Sequence, residues 1–244
     1  MATARAEGVV HDRRGALQEY LLRTQPRTVD RGRMTIVERE LARVVRAGIP
    51  GAVVEFGCYR GGMTAWLRAV LDSVGADPPV HAYDSFRGLP APGRHDSAYL
   101  AEGEFAASVG EVVNLHERFG LRRPHVHAGW FAHTVPEQLP ARISFAYLDG
   151  DRYESTLLCL RACLPRLAPG AILVIDDYAD PASPPDRAVA QPKAPGVMKA
   201  CEDVFGTPLA VSVVSADPTW TLGVYRHAIP PTVSAAAASN ETVR

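Results

Sequence analysis

The chain contains 244 residues, of which 47% are hydrophobic, and it carries a formal net charge of −1 at pH 7. This length and composition predict one domain with a substantial hydrophobic core. The nearly neutral charge argues against nucleic acid or an anionic membrane as a partner, since both attract basic proteins. The sequence shows no apolar run typical of a signal peptide or of a membrane helix. Its four cysteines form no CxxC pair, so we expect reduced thiols and a cytoplasmic location.

Helices are predicted for the start of the chain. Residues up to about Arg27 are charged and weakly periodic, and we interpret them as a peripheral helix with a frayed start. A second helix is predicted over Arg33–Ala47, where apolar residues recur at helical spacing. We assign residues 1–32 to an N-terminal helical extension and residues 33–227 to the main domain. The tail, residues 228–244, has little to bury and is predicted to be disordered.

Beyond the second helix, apolar runs typical of strands alternate with helical segments. The predicted strands are Ala52–Phe56, Pro79–Tyr83, Pro124–Ala128, Ile143–Leu148 and Ala171–Ile175. The predicted helices between them cover about Met63–Val74, Glu104–Phe119 and Glu154–Leu167. This alternation predicts an α/β fold, in which helices cover both faces of a parallel sheet. Two later apolar runs, Ala210–Val214 and Thr221–Tyr225, are expected to add a closing pair of strands at one edge.

Acidic residues follow four of the five predicted strands. The first strand ends in Glu55-Phe-Gly57, the second in Asp84, the fourth in Asp149-Gly-Asp151 and the fifth in Asp176-Asp177. Ligands of open α/β sheets bind beyond the carboxyl ends of the strands, so these acids mark the expected site. The glycine-rich segment 57–62 lacks the GxGxxG spacing of a dinucleotide site, and the chain has no GxxxxGK[ST] phosphate loop.

The first two acids suit a cofactor that is cationic and carries no phosphate. S-adenosylmethionine has an ammonium group, a sulfonium group and a ribose diol. Glu55 suits its cationic methionine end, and Asp84 can accept hydrogen bonds from both ribose hydroxyls, because an ionised carboxylate only accepts. If only Glu55, the glycines and Asp84 are considered, a structural turn in another nucleotide-binding fold is the alternative interpretation.

The later acids predict a metal site. Asp149, Asp176 and Asp177 are expected to lie close together at adjacent strand ends. Crowded carboxylates repel one another unless a cation neutralises them. Ligands that are all oxygen favour Mg²⁺ or another hard divalent cation. Asp151 is assigned another role, as the N-terminal cap of the next helix, because Asp151-Arg-Tyr-Glu154 has the form of a capping box.

Longer motifs resemble those of the macrocin O-methyltransferase family. The most specific are Asp149-Gly-Asp-Arg-Tyr-Glu-Ser-Thr156 and Pro169-Gly-Ala-Ile-Leu-Val-Ile-Asp-Asp-Tyr178, and segments 48–57, 59–62, 84–90 and 129–136 agree with them. The resemblance runs from about Met34 to Tyr178. It implies a class I methyltransferase fold, with a mostly parallel seven-stranded sheet and an antiparallel edge strand near the C-terminus. It also implies Mg²⁺-dependent transfer of a methyl group from S-adenosylmethionine to a hydroxyl, typically on a deoxysugar of an antibiotic.

The resemblance also implies roles for individual residues. Asp149 matches a metal-bound general base, and Asp176 and Asp177 match the other metal ligands. The implied cofactor-binding positions are Glu55, Gly57, Tyr59, Arg60, Gly61, Gly62, Asp84 and Ser85. Trp130 is expected near the adenine, although a buried core aromatic would fit its pattern equally well. A homo-oligomer is expected, with a glycosylated natural product as its small-molecule acceptor and no nucleic-acid or membrane partner.

The chain departs from the family pattern at three places. Arg152 follows the DGD motif where the family has an apolar residue, and Ala171 replaces the second glycine of PGG. The proline-rich segment 179–195 looks longer than the family's usual connection. We predict that this segment is a lid or a wall that faces the acceptor.

Further functions stay open on the sequence alone. A catechol or caffeoyl-CoA type of O-methyltransferase would share the fold and metal, but it usually has an Asp-Asn pair where this chain has Asp176-Asp177. A non-catalytic S-adenosylmethionine-binding protein and a nucleic-acid methyltransferase are two more candidate functions. His125, His127 and His133 are further acid–base candidates, although structural roles are favoured for them.

Overall fold

The structure is a computed structural model that describes residues 2–206, 210–217 and 220–229. Its helices are α1 (Ala2–Thr24), α2 (Arg31–Arg46), α3 (Gly62–Ser73), α4 (Val109–Arg118), α5 (Phe131–Gln138), α6 (Tyr153–Cys163) and α7 (Pro195–Phe205). Its strands are β1 (Ala52–Phe56), β2 (Val80–Asp84), β3 (His125–Ala128), β4 (Ile143–Leu148), β5 (Leu167–Ile175), β6 (Val211–Asp217) and β7 (Trp220–Arg226). Nearly all of the tail that was predicted to be disordered lies outside the described residues.

The seven strands form one sheet in the order β3-β2-β1-β4-β5-β7-β6. Strands β1 to β5 pair in parallel, whereas β7 is antiparallel to both β5 and β6. The predicted mostly parallel sheet of seven strands, with an antiparallel strand near the C-terminus, is therefore confirmed. The strand order reverses between β1 and β4, and open α/β sheets bind ligands at such a reversal.

Two hydrophobic clusters cover the two faces of the sheet. Val53 packs with α1, α2 and α3 on one face, and its neighbour Val54 packs with α5, α6 and α7 on the other. Phe145 and Ala146 divide between the same two clusters, because successive strand residues point to opposite faces. Burial on both faces explains why these central strands are apolar throughout.

The start of α4 differs from the prediction of a helix over Glu104–Phe119. The helix begins at Val109, where Ser108 and Glu111 form a capping box with both hydrogen bonds present. Phe105, four residues earlier, has a φ of 60°, which a right-handed helix does not permit. The predicted beginning is wrong because residues 104–108 have a composition that suits a helix, whereas the backbone turns at Phe105.

Helix α1 is more than a peripheral helix. Leu17 and Leu21, in its second half, are fully buried in the cluster that also holds α2 and α3. These leucines pack the second half of α1 onto the core, and the assignment of residues 1–32 to an N-terminal extension stays a prediction. In the described part of the chain, no helix has both the length and the apolar character needed to cross a membrane.

Candidate active site

A cavity of about 450 Å³ opens at the carboxyl ends of β1, β2, β4 and β5. Its lining includes the predicted acids Glu55, Asp84, Asp149 and Asp177. Further lining comes from the segment between α1 and α2, from the loops after β2 and β5, and from Trp220 on β7. These predicted residues therefore share a cavity where the strand order reverses, and segments distant in sequence from the strand ends complete its walls.

Glu55 ends β1 and is almost completely buried, with an exposed fraction of 1%. The hydroxyl of Thr64, on the first turns of α3, donates a hydrogen bond to its carboxylate. Burial raises the pKa of Glu55 to about 8, and the Thr64 hydroxyl partly opposes this rise. A buried carboxylate held in this way gains from a cationic ligand, because a positive charge favours its ionised form.

Asp84 ends β2 and holds the two loops beside it. One carboxylate oxygen accepts the backbone N–H of Tyr59 at 2.7 Å, and the other accepts that of Phe86 at 2.7 Å. Burial raises the pKa of Asp84, and these N–H groups lower it. Each oxygen keeps acceptor capacity on its remaining lone pair, so a diol could still bind here.

Gly57 brings the end of β1 against the end of β4. Its φ is +84°, and a Cβ at this position would lie 1.8 Å from the carbonyl oxygen of Asp149. Backbone bonds fix the contact on both sides, since the Gly57 N–H donates to Tyr83 O and the Asp149 N–H donates to Phe56 O, both at 2.9 Å. Only glycine fits here, for reasons of both backbone conformation and space.

The other predicted cofactor residues divide into two groups. Gly57, Tyr59, Gly62, Ser85 and Trp130 line the cavity together with Glu55 and Asp84. Arg60 and Gly61 do not line it: the Arg60 guanidinium pairs with Glu111 at 2.7 Å, and Gly61 precedes α3 in a left-handed conformation. Trp130 immediately precedes α5, is half-buried and lines the cavity. The roles of these residues in binding stay predictions.

Three carboxylates from two strand ends meet in the cavity. Oxygens of Asp149, Asp151 and Asp177 all lie within 4.8 Å of one another, and we call these residues the acidic trio. Burial raises the pKa of all three, to about 7 for Asp151, and the nearby Asp176 raises it further. A cation among them would relieve both effects, and a set of carboxylate oxygens suits a hard divalent ion.

Asp151 does not cap α6, so that prediction is wrong. The helix begins at Tyr153 with Arg152 at the capping position, and no side chain makes a cap hydrogen bond there. Asp151 has a φ of 55°, in the left-handed region that non-glycine residues seldom adopt. This conformation turns its carboxylate towards Asp149 and Asp177 instead of towards the helix.

Asp176, which was predicted as a metal ligand, has protein partners in this structure. The Arg33 Nε atom lies 2.8 Å from its Oδ2, and the Tyr147 hydroxyl donates to it at 2.5 Å. Arg33 also reaches Asp177, with Nη2 3.5 Å from Oδ1. The structure thus brings the predicted ligands Asp149 and Asp177 together with Asp151. The third predicted ligand, Asp176, is paired with Arg33 instead.

Arg33 is a residue that the sequence reasoning missed. It lies in the first turn of α2, where the carboxylate of Asp30 caps the helix by accepting the Arg33 N–H at 2.8 Å. Its side chain is only 5% exposed, and its guanidinium lies 4.3 Å from the centre of the Trp220 ring. An arginine among the apolar positions of α2 was the only signal, and it gave no indication of a partner 143 residues away.

Histidines do not contribute to the described lining of the cavity. His127 lies on β3, where its Nε2 is 2.9 Å from His81 Nδ1 and its Nδ1 is 2.6 Å from Gln138 Oε1. His125 stacks on His81 in the same group, and His133 lies on α5. The described lining therefore contains carboxylates but no imidazole group.

Comparison with known proteins gives a family and several relatives. The sequence profile of the macrocin O-methyltransferase (TylF) family matches residues 12–194. The 8-demethyl-8-(2,3-dimethoxy-α-L-rhamnosyl)-tetracenomycin-C 4′-O-methyltransferase of Streptomyces olivaceus is 39% identical over 146 residues, 56% of each protein. The mycinamicin III 3″-O-methyltransferase of Micromonospora griseorubida is 32% identical over 162 residues, 62% of this chain and 64% of the relative. The chain thus spans between about half and two thirds of the length of these relatives.

Solved structures share the fold. The O-methyltransferase NovP superposes with a TM-score of 0.66 at 24% identity, covering 81% of this chain and 80% of NovP. The calicheamicin methyltransferase CalS11 superposes with a TM-score of 0.64 at 23% identity, covering 90% of this chain and 91% of CalS11. At these identities the likeness concerns the fold, which is that of class I methyltransferases.

Proposed function

The chain belongs to the macrocin O-methyltransferase family, and we propose that it transfers a methyl group from S-adenosylmethionine to a hydroxyl of a small-molecule acceptor. The acceptor that we propose is a deoxysugar of a glycosylated natural product, because two relatives are named for methylation of such compounds. One observation carries the proposal: cofactor-type carboxylates on β1 and β2 and the acidic trio line a single cavity.

The cofactor end of the cavity suits a cationic ligand with a diol. Glu55 would face the methionine ammonium, and Asp84 would accept from the ribose hydroxyls while its loop bonds to Tyr59 and Phe86 stay in place. The glycine at position 57 lets the backbone approach closely where a Cβ would collide with Asp149. S-adenosylmethionine supplies an activated methyl group, and the residues of this chain supply its position and orientation.

The acidic trio suits a divalent cation, and we propose Mg²⁺. Asp149 and Asp177 belong both to the trio and to the set predicted from sequence, whereas Asp176 would have to exchange Arg33 and Tyr147 for the ion. A divalent cation held here would supply positive charge that lowers the pKa of a nearby hydroxyl. The ion's identity stays a prediction, as do the homo-oligomeric state and the cytoplasmic location.

Asp149 is our candidate for the general base. It follows β4 directly, so its backbone is fixed by the bond from its N–H to Phe56 O. Its carboxylate belongs to the acidic trio, so it would lie beside the proposed ion and within reach of the proton that a hydroxyl bound there loses. Aromatic residues in the same lining, among them Phe105 and Trp130, would limit the access of water to the bound reactants.

The test is Asp149→Asn. We expect it to lower turnover by at least about a hundredfold, the usual contribution of a general base, while S-adenosylhomocysteine still binds in calorimetry. Chelation by EDTA should stop wild-type turnover, and Mg²⁺ should restore it. Asp186→Asn is the matched control, because the Asp186 side chain is 79% exposed in the proline-rich loop. Nearly wild-type turnover in Asp149→Asn would overturn the base assignment. Turnover that EDTA does not change would contradict the proposed metal ion.

A further inference from the structure

A lysine from the proline-rich loop reaches into the cavity. Lys193 is half-buried, and its Nζ atom lies 4.9 Å from the centre of the Tyr99 ring and 5.0 Å from that of the Trp220 ring. All three residues line the cavity that contains Asp149 and Asp177. The loop that was predicted to face the acceptor therefore contributes a cation between two aromatic side chains.

The positive charge of Lys193 is not neutralised by a carboxylate within the described side chains. The ion pairs found among them do not include Lys193, whereas Lys199, six residues later on α7, pairs with Asp203 and Glu202. The faces of aromatic rings attract a cation but do not use its N–H donors. Among the described residues the ammonium of Lys193 makes ring contacts but no hydrogen bond, so its three N–H donors can serve a ligand.

The loop holds this ammonium in a defined place. The Ser97 hydroxyl donates to the carbonyl oxygen of Lys193 at 2.5 Å, and the Ala194 N–H donates to Gln191 O at 3.1 Å. Gln191 itself is buried, with an exposed fraction of 4%. A lysine on an exposed loop usually moves freely, but here both the backbone and the ring contacts restrict it.

The Trp220 ring is fixed as well. The guanidinium of Arg33 lies 4.3 Å from its centre, and Arg33 is in turn bound to Asp176. Asp176 thus pairs with Arg33, Arg33 contacts the Trp220 ring, and Lys193 contacts the rings of both Trp220 and Tyr99. This series places the lysine and the two rings at a fixed position relative to the proposed reacting end of the cavity.

We propose that Lys193, Tyr99 and Trp220 form the subsite that binds the acceptor sugar. The Lys193 ammonium donates hydrogen bonds to hydroxyl or ring oxygens of the sugar, the Tyr99 ring packs against its C–H face, and Trp220 holds the ammonium in place. A pyranose offers both kinds of surface, and Tyr99, with 59% of its surface exposed, has apolar area left to cover. The inference rests on the proposed function, because it names the residues that hold the acceptor of that reaction.

The experiment compares Lys193→Met with Lys193→Arg and with the control Lys199→Met. The methionine keeps the length of the side chain and removes its charge. Loss of a charge-assisted hydrogen bond should raise the KM for a rhamnosylated aromatic glycoside by about tenfold or more. We expect the kcat and the affinity for S-adenosylhomocysteine to stay within about threefold of wild type. Lys193→Arg should recover part of the lost affinity, and Lys199→Met should behave as wild type.

A binding measurement separates this inference from the function on which it rests. The same glycoside is titrated into each protein saturated with S-adenosylhomocysteine, so that no turnover is needed. Turnover by the wild type with an unchanged KM in Lys193→Met would overturn the subsite alone. A wild type that binds S-adenosylhomocysteine but neither methylates nor binds glycosides would overturn both. A Lys193→Met protein that has lost cofactor affinity as well would show that the lysine supports the fold instead of the acceptor.

Discussion

The carboxyl groups of Glu55 and Asp84 and those of the acidic trio line one cavity, but different partners surround them. Glu55 and Asp84 receive hydrogen bonds from neutral donors, the Thr64 hydroxyl and two backbone N–H groups. The trio, in contrast, lies beside a fourth carboxylate, Asp176. Arg33 forms ion pairs with Asp176 and with Asp177 of the trio, and the charge of Arg152 lowers the pKa of Asp151.

This difference distinguishes the proposed cofactor site, where neutral donors hold the carboxylates, from the proposed metal site, where added positive charge would stabilise them. Burial raises the pKa of the acids in both groups. Hydrogen-bond donors oppose this rise for Glu55 and Asp84, although Asp84 adds to it for Glu55, whereas several neighbouring carboxylates add to it for Asp149. A fixed carboxylate with neutral partners can select a ligand by shape and charge. Carboxylates that repel one another are stabilised most by an ion. Three changes test the comparison, beginning with the one of largest expected effect.

Gly57 forms the contact between the two groups of carboxylates, and Gly57→Ala should disrupt the geometry of both groups. The added Cβ would lie 1.8 Å from Asp149 O, and alanine is strained at a φ of +84°. We expect the free energy of unfolding to fall by more than about 4 kcal/mol, a loss that only severe core changes cause. S-adenosylhomocysteine binding should disappear at the same time.

Gly75→Ala is the control for backbone strain without collision. Gly75 has a φ of +68°, and a Cβ there meets nothing within 4 Å. Its cost should be about 1 kcal/mol, as expected for a left-handed alanine alone. Equal losses of stability for the two variants, measured by urea denaturation, would contradict the close approach of β1 and β4.

Arg33→Met should destabilise Asp176 and Asp177, which lose their ion pairs with Arg33. It should leave Glu55 and Asp84 unaffected. Removal of one partner from a buried ion pair costs about 3–5 kcal/mol, because the remaining charge stays buried. The variant should therefore unfold more easily, and added Mg²⁺ should raise its melting temperature by more than that of the wild type. Affinity for S-adenosylhomocysteine should change little.

Arg39→Met provides the matched control on the same helix. Arg39 pairs with Glu40 at 2.9 Å, but Glu40 keeps Arg43 and Arg226 at 3.0 and 2.9 Å when Arg39 is lost. We expect a loss below about 1 kcal/mol, because the Arg39 side chain is 45% exposed and the buried Glu40 stays paired with two other arginines. If Arg33→Met is no more destabilised than Arg39→Met, Arg33 does not support the acidic group.

Glu55→Gln gives the smallest effect, a change in how stability depends on pH. Burial raises the pKa of Glu55 from 4.5 to about 8, so the folded protein binds more protons than the unfolded chain between these values. Stability should therefore fall as pH rises through this window. Between pH 6 and 8 the cofactor-free wild type should lose about 2 kcal/mol more than Glu55→Gln.

The measurement is urea denaturation at each pH without cofactor, with Glu19→Gln as the control, because Glu19 is exposed on α1. The control should keep the pH dependence of the wild type. A Glu55→Gln protein with the same pH dependence would show that Glu55 is ionised in the folded state at neutral pH.

The parts of the fold and site that the sequence predicted are those that follow from local patterns. Apolar runs located the strands, and the acids that end those strands had to meet at one edge of a parallel sheet. Glu55, Asp84 and Asp149 were found in this way. Asp151 was misassigned because its pattern with Glu154 is that of a helix cap, whereas its left-handed backbone sends the carboxylate elsewhere.

The residues that sequence reasoning missed act through contacts between distant segments. Arg33 lies on α2, Lys193 in the proline-rich loop and Trp220 on β7, and no motif connects them. Their meeting depends on how α2 and β7 pack against the sheet, which the periodicity of either element does not determine. The proline-rich loop was recognised as unusual, but its lysine could not be given a role until Tyr99 and Trp220 were found beside it.

The position of Trp220 has a consequence for the order in which a ribosome makes the molecule. Glu55 and Asp84 are synthesised early, so a nascent chain contains the residues of the cofactor end long before β7 emerges. Strand β7 inserts between β5 and β6 in the finished sheet. Until it does so, Arg33 and Lys193 lack the ring that they share. The proposed acceptor subsite therefore includes a residue that is synthesised late, and a chain that stops before β7 lacks one of its three side chains.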